Sequence, residues 1–328
     1  MAFSLLQPLC DIPLAVVDVE TTGASADFGH KVIELGIVRY ERGVKVAEYE
    51  QLIDPRRKIS AGVCALTGIT QAMVEGRPTF GEQFSGMLQL LQGAVVLGHN
   101  VRFDLSFLRK EFRRCRSDLV EALGQVPVLD TVRIARRRFG RGGNGLQSLA
   151  PRLGVFPVAA HRALADAQTT ALVFERLMEP VGGWRTCLCD AIREQGGPMG
   201  LLPPNPRESL LPLELEEALE QRKPVMMEYL DGQESRTQRV IQPLHVRRRR
   251  GELIMIAHCQ LRRDRRTFRL DRIVQLTRLE SSEPVRIEST HAPTTTAPPG
   301  ADDHAAWEEF LPFDRPSDRP APLNSRSL

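Results

Sequence analysis

The stretch VVDVETTG, residues 16–23, constrains the fold more than any other part of this chain. Its small and β-branched residues suit a strand, yet Asp18 and Glu20 place two negative charges within it. Side chains on a strand alternate between faces, so both carboxylates point to one side while Val17 and Val19 point to the other. Burying an unpaired carboxylate is costly, and two like charges on one face also repel. Basic side chains or metal ions are therefore expected against this face.

At 328 residues the chain is longer than one ordinary domain, so two domains plus tails are expected. No apolar run approaches the length of a membrane span, and the N-terminal residues lack the pattern of a signal peptide. No membrane partner is therefore expected. Among the six cysteines only Cys187 and Cys189 lie close together. This spacing favours reduced thiols and a cytoplasmic protein.

Charge is distributed unevenly along the chain. Residues 236–278 contain thirteen arginines against three acidic residues, a net charge of +10, whereas the whole chain carries only +3. The remainder is therefore acidic overall. Such a separation suggests a module that binds polyanions, attached to a mildly acidic one.

The first half of the sequence predicts an α/β domain. Three strands are predicted in residues 14–53, LAVVDVE, KVIELGIVRY and VKVAEYEQLI, and a central strand in AVVLGHN. Helices are predicted in FGEQFSGMLQLLQG, DLSFLRKEFRRC, GLQSLAPRLG and HRALADAQTTALVFERLME. Three hairpin-linked strands followed by strand–helix alternation imply a mixed central sheet with helices on both faces.

The second half predicts a small β domain. After the linker-like segment 196–208, a helix is predicted in LPLELEEALEQR, and strands in PVMMEYL, RTQRVIQPL, ELIMIAHCQL and RTFRLDRIVQL. The run Arg247 to Arg250 is placed on a turn. This pattern indicates a small β-barrel or a strongly bent sheet. We divide the chain into a domain at 1–180, a connection at 181–208, a basic β domain at 209–280 and a disordered tail at 281–328.

Further ionisable residues stand where a strand ends or a helix begins. Asp104 follows the apolar strand AVVLGHN, and His161 and Asp166 lie at the start of the long helix. Sheets of this kind hold ligands at such points. Together with Asp18 and Glu20, these residues could form an oxygen-rich site for Mg²⁺ or Mn²⁺, which assist phosphodiester hydrolysis. His161 could accept the proton of the attacking water.

Each residue also has a simpler interpretation. A lone His161 is more often a surface or capping residue, Asp104 could be a helix N-cap, and Asp166 could be a solvated helix charge. Asp18 and Glu20 resist such an interpretation because they interrupt an otherwise apolar strand. The five residues in this order favour the functional interpretation.

The segments DVETTG, HNVRFD and HRALADA resemble the three exonuclease motifs of the DEDDh family. That family includes the proofreading epsilon subunit of bacterial DNA polymerase III and ribonuclease T. The resemblance covers roughly residues 12–180, including LTGIT and GLQSLAPRLG between the motifs. It implies a ribonuclease-H-like fold and a 3′→5′ exonuclease activity that uses two divalent ions, Mg²⁺ or Mn²⁺.

The resemblance also implies roles for individual positions. The metal carboxylates would be Asp18, Glu20, Asp104 and Asp166, and the general base would be His161. The residues that border the terminal nucleotide would be Thr21, Thr22, Gly23 and Asn100. His99 and Asn100 are also expected to shape their loop.

Residues 239–276 resemble a WYL domain, a small Sm-like or SH3-like β-barrel of bacterial regulators and nucleic-acid enzymes. The Trp-Tyr-Leu tripeptide of that family is replaced by residues 253–255, Leu-Ile-Met, so no aromatic ring is available there to stack on a base. The family pattern draws the ligand-facing arginines from Arg262, Arg263, Arg265, Arg266, Arg269 and Arg272. Guanidinium groups bind phosphate well. The alternative is a solvated basic surface, or pairing of these arginines with Asp264 and Asp271.

The chain is therefore interpreted as a metal-dependent 3′→5′ exonuclease that releases nucleoside 5′-monophosphates from single-stranded DNA ends. The basic module would bind nucleic acid or regulate activity, and recruitment of substrate is favoured over inhibition. Alternatives are an RNA-trimming exoribonuclease, or a nucleic-acid-sensing regulator with a vestigial nuclease domain. In the tail, Leu311, Pro312 and Phe313 partly resemble a sliding-clamp-binding motif, and a chance apolar cluster is the alternative.

Overall fold

The computed structural model describes residues 3–157, 159–202, 211–231, 233, 235–249 and 252–279. The clamp-like segment around Leu311 and the rest of the predicted tail lie outside the described residues, so both stay predictions. Among the described residues, no helix combines the length and the hydropathy needed to cross a lipid bilayer. All six cysteines belong to the described part and are free thiols.

The first sheet is mixed, as predicted. Its strands are β1 (Leu14–Thr21), β2 (Val32–Glu41), β3 (Val44–Leu52), β4 (Val95–Gly98) and β5 (Val128–Asp130). They are arranged in the order β3-β2-β1-β4-β5. The first three strands pair antiparallel, whereas β4 is parallel to β1 and β5 is parallel to β4. The short strand β5, which has only three residues, was not predicted from the sequence.

Helices cover both faces of this sheet. They are α1 (Ala61–Thr67), α2 (Gln71–Val74), α3 (Phe80–Leu91), α4 (Arg102–Arg114), α5 (Leu119–Leu123), α6 (Thr131–Phe139), α7 (Leu146–Arg152), α8 (Ala163–Met178) and α9 (Leu188–Glu194). Side-chain caps set several starts: Ser60 accepts from Val63 N–H at α1, and Asp130 accepts from Val132 N–H at α6. One buried cluster includes Val17 and Phe112, and a second includes Val16 and Phe174 on the opposite face.

One glycine allows the helix that carries two predicted site residues to approach the sheet. A Cβ atom added to Gly36 of β2 would lie 2.3 Å from the backbone of Ala163 and of Leu164. No real side chain tolerates that distance, so only glycine permits this packing. The first turn of α8 therefore lies directly on β2, beside β1.

The second sheet is antiparallel. Its strands are β6 (Val225–Leu230), β7 (Arg236–Arg249), β8 (Glu252–Cys259), β9 (Asp264–Arg269) and β10 (Ile273–Arg278). They are arranged in the order β10-β6-β7-β8-β9, and α10 (Leu213–Gln221) packs its apolar side against them. Within the described residues no pairing joins β9 to β10, so the predicted β-barrel is not found as a closed barrel. Both sheets belong to one compact unit.

Two details of the second half differ from the predictions. The segment RTFRLDRIVQL is not one strand: a short 3₁₀ turn, Leu270–Arg272, separates β9 from β10 and moves the chain to the other edge of the sheet. Arg247 to Arg249 lie in β7 rather than on a turn, because pairing with β8 continues as far as the Arg249–Glu252 pair. Arg250 is not among the described residues.

Candidate active site

The two carboxylates of β1 lie where the strand pattern predicted. Asp18 and Glu20 are half-buried, whereas Val17 and Val19 on the other face are buried in the core. Both carboxylates line one cavity of about 410 Å³. The alternation of the strand thus separates the charged face from the apolar one.

Asp104 reaches this site from α4. It is 3% exposed, and its Oδ1 accepts a hydrogen bond from the backbone N–H of Val19 at 3.0 Å. The N-cap position of α4 is Val101, so Asp104 does not cap this helix. Its carboxylate instead joins the N-terminal turn of α4 to β1.

Asp166 reaches the site from α8 and is 5% exposed. Its Oδ2 accepts from the backbone N–H of His161 at 2.9 Å, and its Oδ1 accepts from Gln147 Nε2 at 3.0 Å. His161 has a φ of 57°, in the left-handed region that few non-glycine residues adopt. The Asp166 carboxylate therefore stabilises an unusual backbone conformation at His161, and is not a solvated helix charge.

One ligand atom each from Glu20, His161 and Asp166 lie within 4.8 Å of one another. Asp18 and Asp104 line the same cavity. The structure thus brings all five predicted residues, from β1, α4 and the start of α8, to one place.

Negative charge accumulates here. Burial raises the pKa of Asp18 well above its usual value, and the carboxylates of Asp104, Asp166 and Glu20 raise it further. The pKa of Glu20 is raised in the same way by burial and by Asp166, while Arg162 opposes this shift. Burial raises the pKa of Asp166 to about 6, although hydrogen bonds from His161 and Gln147 lower it. Such mutual repulsion is the electrostatic condition that a cation relieves.

The imidazole of His161 has the opposite shift. Burial lowers the pKa of His161 below 6.5. The ring is therefore neutral at pH 7 and can accept a proton.

The predicted nucleotide-binding residues do not all lie in the cavity. Thr21, Gly23 and Asn100 line it, whereas Thr22 is buried and is not among the lining residues. The Thr22 hydroxyl accepts from Lys31 N–H at 3.0 Å and shares a hydrogen bond with His30 Nδ1 at 3.2 Å. A Cβ atom on Gly23 would lie 2.4 Å from the His30 ring, so any larger residue here would have to displace that ring.

Asn100 also shapes its loop. Its φ is 57°, which asparagine tolerates, and its backbone N–H donates to Asp130 Oδ1 at 3.0 Å. His99 Nδ1 shares a hydrogen bond of 2.8 Å with the Thr131 hydroxyl. This geometry agrees with the expectation that both residues shape the turn after β4.

Several residues that line this cavity were not predicted from the sequence. Apolar side chains that line it include Val63, Leu66, Phe103 and Leu146. Gln147, which holds Asp166, lies within the segment GLQSLAPRLG but carried no signal that pointed to a role. The cavity is also lined by residues of the second half, from α10, β6 and β10, and no local pattern indicates that contact.

The six arginines of the basic module occupy three different environments. Arg262, Arg263, Arg265 and Arg266 are exposed around the β8–β9 connection. Arg269 pairs with Asp271 and with Glu252, each at 2.7 Å. Arg272 is half-buried next to α1, where an added Cβ on Gly62 would lie 3.5 Å from its Cα. None of the six lines the cavity.

Comparison with known protein families gives one match in each half of the chain. Residues 15–174 match the family described as Exonuclease, and residues 212–278 match the family described as WYL domain. The chain joins an exonuclease-family domain to a WYL domain. Both resemblances drawn from the sequence motifs are thereby confirmed.

Relatives of the exonuclease domain occur in several bacterial proteins. The 3′-5′ exonuclease DinG of Bacillus subtilis is 36% identical over 165 residues, which are 50% of this chain and 17% of that protein. The PolC-type DNA polymerase III of Thermotoga maritima is 35% identical over 169 residues, 52% of this chain and 12% of that protein. A DNA polymerase III subunit epsilon-like protein of Rhodobacter capsulatus is 36% identical over 176 residues, 52% and 24% respectively. The chain thus spans less than a quarter of the length of these relatives.

Two nucleases are among the solved structures to which this chain is similar. The nuclease domain of 3′hExo, a DEDDh family member bound to rAMP, has a TM-score of 0.46 and 18% identity, covering 53% of this chain and 95% of that one. Exonuclease I of E. coli in complex with a dA16 oligonucleotide has a TM-score of 0.45 and 18% identity, covering 75% and 55%.

Proposed function

We propose that this chain is a metal-dependent 3′→5′ exonuclease that removes nucleoside 5′-monophosphates from single-stranded DNA. The observation that carries the proposal is the meeting of Asp18, Glu20, Asp104, Asp166 and His161 at one cavity of the exonuclease-family domain. Four carboxylates and one neutral imidazole at a cavity suit hydrolysis of a phosphodiester better than they suit passive binding of a polyanion.

The donor set suits hard divalent cations. Carboxylate oxygens are the ligands that Mg²⁺ and Mn²⁺ prefer. Burial raises the pKa values of Asp18 and Glu20, and repulsion by neighbouring carboxylates, Asp166 among them, raises them further; a divalent cation would offset that repulsion. We therefore assign these residues, with Asp104, as the ligands of two Mg²⁺ or Mn²⁺ ions. Bound there, the ions would supply electrostatic stabilisation of the charge that develops on the phosphate oxygens.

The protein groups have distinct roles in the proposed reaction. A water oxygen adds to the phosphorus of the terminal phosphodiester, and the 3′-oxygen of the preceding nucleotide leaves. The neutral His161 ring takes the proton that the water loses, and the departing oxygen gains a proton. Gln147 and the backbone N–H of His161 hold the Asp166 carboxylate in a fixed orientation.

The cavity supports binding of one terminal nucleotide at a time. Its volume of about 410 Å³ is in the range of pockets that hold small ligands. Leu66 and Phe103 offer apolar surface for a base, next to Thr21 and Gly23. The exposed arginines around the β8–β9 connection suit the more distant phosphates of a single strand.

Two alternatives lead to different outcomes in one assay. An RNA-trimming enzyme would degrade RNA in preference to DNA, and a sensor with a vestigial nuclease domain would bind strands without cleaving them. The test is incubation with 5′-labelled single-stranded DNA, duplex DNA or RNA, in Mg²⁺, Mn²⁺ or EDTA. A ladder that shortens from the 3′ end, and that EDTA and the Asp166→Asn variant both abolish, is expected. Absence of any ladder would overturn the proposal, and a ladder on RNA alone would reassign the substrate.

A further inference from the structure

Helix α10 is strongly acidic on the side that faces the exonuclease domain. Its nine residues include Glu214, Glu216, Glu217 and Glu220. Leu215 and Ala218 pack into the core of the second sheet. Glu220 lies four positions after Glu216 and three after Glu217, so these three carboxylates share one helix face, whereas Glu214 lies two positions from Glu216 and lines the cavity. The helix thus attaches to its own domain by its apolar side and presents its charges outward.

The groups that receive these carboxylates belong to α6 and to the loop GRGGNG, residues 140–145. Arg136 Nη2 donates to Glu216 Oε2 at 3.0 Å, and Arg141 Nη1 donates to Glu220 Oε2 at 2.8 Å. Between these two pairs, the backbone N–H of Gly143 donates to Glu217 Oε2 at 3.0 Å. Gly143 has a φ of 70°, a conformation natural to glycine.

These contacts differ in burial. Glu217 is 7% exposed and also accepts from Asn144 Nδ2 at 3.2 Å, so its carboxylate is well satisfied. Arg141 is 64% exposed, and its pair with Glu220 is open to solvent. Although burial opposes the charge of Arg136, the carboxylates of Glu216, Glu217 and Glu220 raise its pKa above the ordinary value. The two outer pairs, Arg136–Glu216 and Arg141–Glu220, are therefore more open to solvent than the carboxylate of Glu217.

The loop that α10 contacts is part of the catalytic cavity. Gly143, Gly145 and Gln147 line that cavity together with Asp18 and Asp166. The loop leads directly into α7, whose Gln147 binds Asp166 at 3.0 Å. Carboxylates of α10 thus occupy donors that lie beside the place where a phosphodiester would be hydrolysed.

We propose that Arg136, Arg141 and the N–H of Gly143 form a phosphate-binding surface for the nucleic-acid strand, and that α10 occupies this surface in place of the strand. Two guanidinium groups and a glycine N–H form a donor set that suits phosphate oxygens. The glutamate carboxylates supply the same kind of acceptor, an anionic oxygen. The inference rests on the proposed function and adds to it a regulation: a strand must displace the acidic face of α10 before it is held here.

The second domain has another contact with the exonuclease domain, on the side of α1. The Ser60 hydroxyl donates to the backbone carbonyl of Asp271 at 3.2 Å, and Gly62 lies against the same carbonyl. The Ser60–Asp271 hydrogen bond joins a hydroxyl to a backbone carbonyl, so a polyanion does not compete for it directly. Displacement of α10 can therefore leave the two domains attached through α1.

Strand binding by the full chain tests the proposal. Glu216→Gln/Glu220→Gln weakens the two charge pairs and keeps the side-chain shapes. Its affinity for a 5′-fluorescent single-stranded oligothymidylate is measured by anisotropy in EDTA, where no hydrolysis is expected. We expect an increase of roughly 2–30-fold over the unsubstituted protein, the range that two partly exposed ion pairs cover. Glu179→Gln/Asp190→Asn also removes two negative charges, from exposed pairs with Arg176 and with Arg193, and is the matched control.

A second pair of variants tests where the strand binds. Adding Arg136→Gln/Arg141→Gln to the glutamine variant removes the proposed phosphate ligands, and the gain in affinity should disappear. If Arg136→Gln lowers the melting temperature, Arg141→Gln alone serves, because that side chain is largely exposed. Unchanged or weaker strand binding by Glu216→Gln/Glu220→Gln overturns the proposal. A gain that persists without the two arginines overturns it as well.

A small substrate keeps this test separate from that of the proposed function. The p-nitrophenyl ester of thymidine 5′-monophosphate contains one phosphodiester and no further phosphates that could reach Arg136 or Arg141. Its hydrolysis by the unsubstituted protein in Mn²⁺ reports on the catalytic residues alone. Hydrolysis of the ester without a gain in strand affinity would overturn the α10 proposal and support the exonuclease activity. A gain in strand affinity without hydrolysis of the ester would support the α10 proposal and contradict the exonuclease activity.

Discussion

The carboxylate of Glu34 and the guanidinium of Arg162 form an ion pair directly behind the candidate active site. Arg162 Nε and Nη2 donate to Glu34 Oε1 at 3.0 and 2.6 Å, and Glu34 Oε2 accepts from the backbone N–H of Ala163 at 2.9 Å. Glu34 is fully buried on β2 and lies opposite Glu20 in the sheet. The pair and the bond to Ala163 N–H therefore hold the chain to β2 at Arg162 and Ala163, next to His161.

Removing the guanidinium should affect both stability and catalysis. Arg162→Met leaves Glu34 buried without its counter-charge, which we expect to cost about 2–3 kcal/mol. This is below the roughly 3–5 kcal/mol of a wholly buried pair, because the Arg162 side chain is 36% exposed. Denaturant unfolding measures the destabilisation. Arg176→Met, which breaks an exposed pair with Glu179, is the control and should cost less than about 1 kcal/mol.

A double variant separates positioning from stability. Glu34→Leu/Arg162→Met removes both charges and should recover most of the unfolding free energy. If the pair positions His161, kcat should stay low in this variant while KM changes little. Recovery of kcat together with stability would mean that the pair acts only on the fold.

The repulsion among the active-site carboxylates predicts an inverse relation between stability and activity. The folded-state pKa of Asp18 is raised, so its ionised form destabilises the metal-free protein. That cost is absent at low pH, and it grows as pH rises above the ordinary value of 3.8 towards the raised one. Asp18→Asn should therefore melt at a higher temperature than the unsubstituted protein in EDTA at pH 7.5. The gain is about 2–4 °C for each kcal/mol of relieved repulsion.

Asp18→Asn should also lose hydrolytic activity. A ligand that binds only the folded state raises its stability, so this variant should lose most of the stabilisation that Mg²⁺ or Mn²⁺ gives to the unsubstituted protein. Asp190→Asn removes a carboxylate on α9, outside the cavity, and should change neither property. A lower melting temperature for Asp18→Asn in EDTA, with Asp190→Asn unchanged, would contradict this account of the site.

His161→Gln should lower kcat by roughly 10²–10⁴-fold, the usual contribution of a positioned base. Because burial lowers the pKa of His161, the ring is in its basic form at pH 7 and is lost as a base only as pH falls below 6.5. At saturating divalent cation, the acidic limb of the kcat profile should therefore disappear in this variant. If the acidic limb remains unchanged in His161→Gln, another group accepts the proton of the attacking water.

The positions of the five candidate site residues could be predicted because their signals are local. Side chains alternate between the two faces of β1, so Asp18 and Glu20 must share a face. The motif segments place Asp104, His161 and Asp166 where strands end or helices begin. Glu34 and Arg162 also lie in segments that the sequence analysis quoted. Their pairing, however, depends on the register of β1 with β2 and on the crossing of α8 over Gly36. Neither follows from spacing within one segment.

The second half was harder to predict because its form depends on distant contacts. A turn at Leu270–Arg272 separates β9 from β10, and Arg269 pairs with Asp271 at this turn. In the sequence, the same run looks like one continuous strand. The position of α10 beside the cavity was not predicted, although the charge of an acidic helix matches that of the arginines near residues 136–141. Such a match indicates attraction but not the surface on which the two elements meet.

The exposed arginines of the β8–β9 connection predict how salt affects substrate binding. Arg269 was a candidate with Arg265 and Arg266, but its pairs with Asp271 and Glu252 make it less available to phosphate. We therefore expect Arg265→Ala/Arg266→Ala to weaken binding of a long single strand at low salt. The slope of log K against log salt should become shallower by roughly 0.7 for each phosphate that the variant no longer neutralises.

Arg113→Ala/Arg116→Ala removes equal charge from exposed positions at the end of α4 and serves as the control. It should leave that slope nearly unchanged, because neither of these residues lies on the basic sheet. Because the β8–β9 arginines do not line the catalytic cavity, hydrolysis of the nitrophenyl ester should be equal in both double variants. An equal weakening of strand binding in the two variants would show that net charge alone attracts the strand, and that the basic sheet is not a specific binding surface.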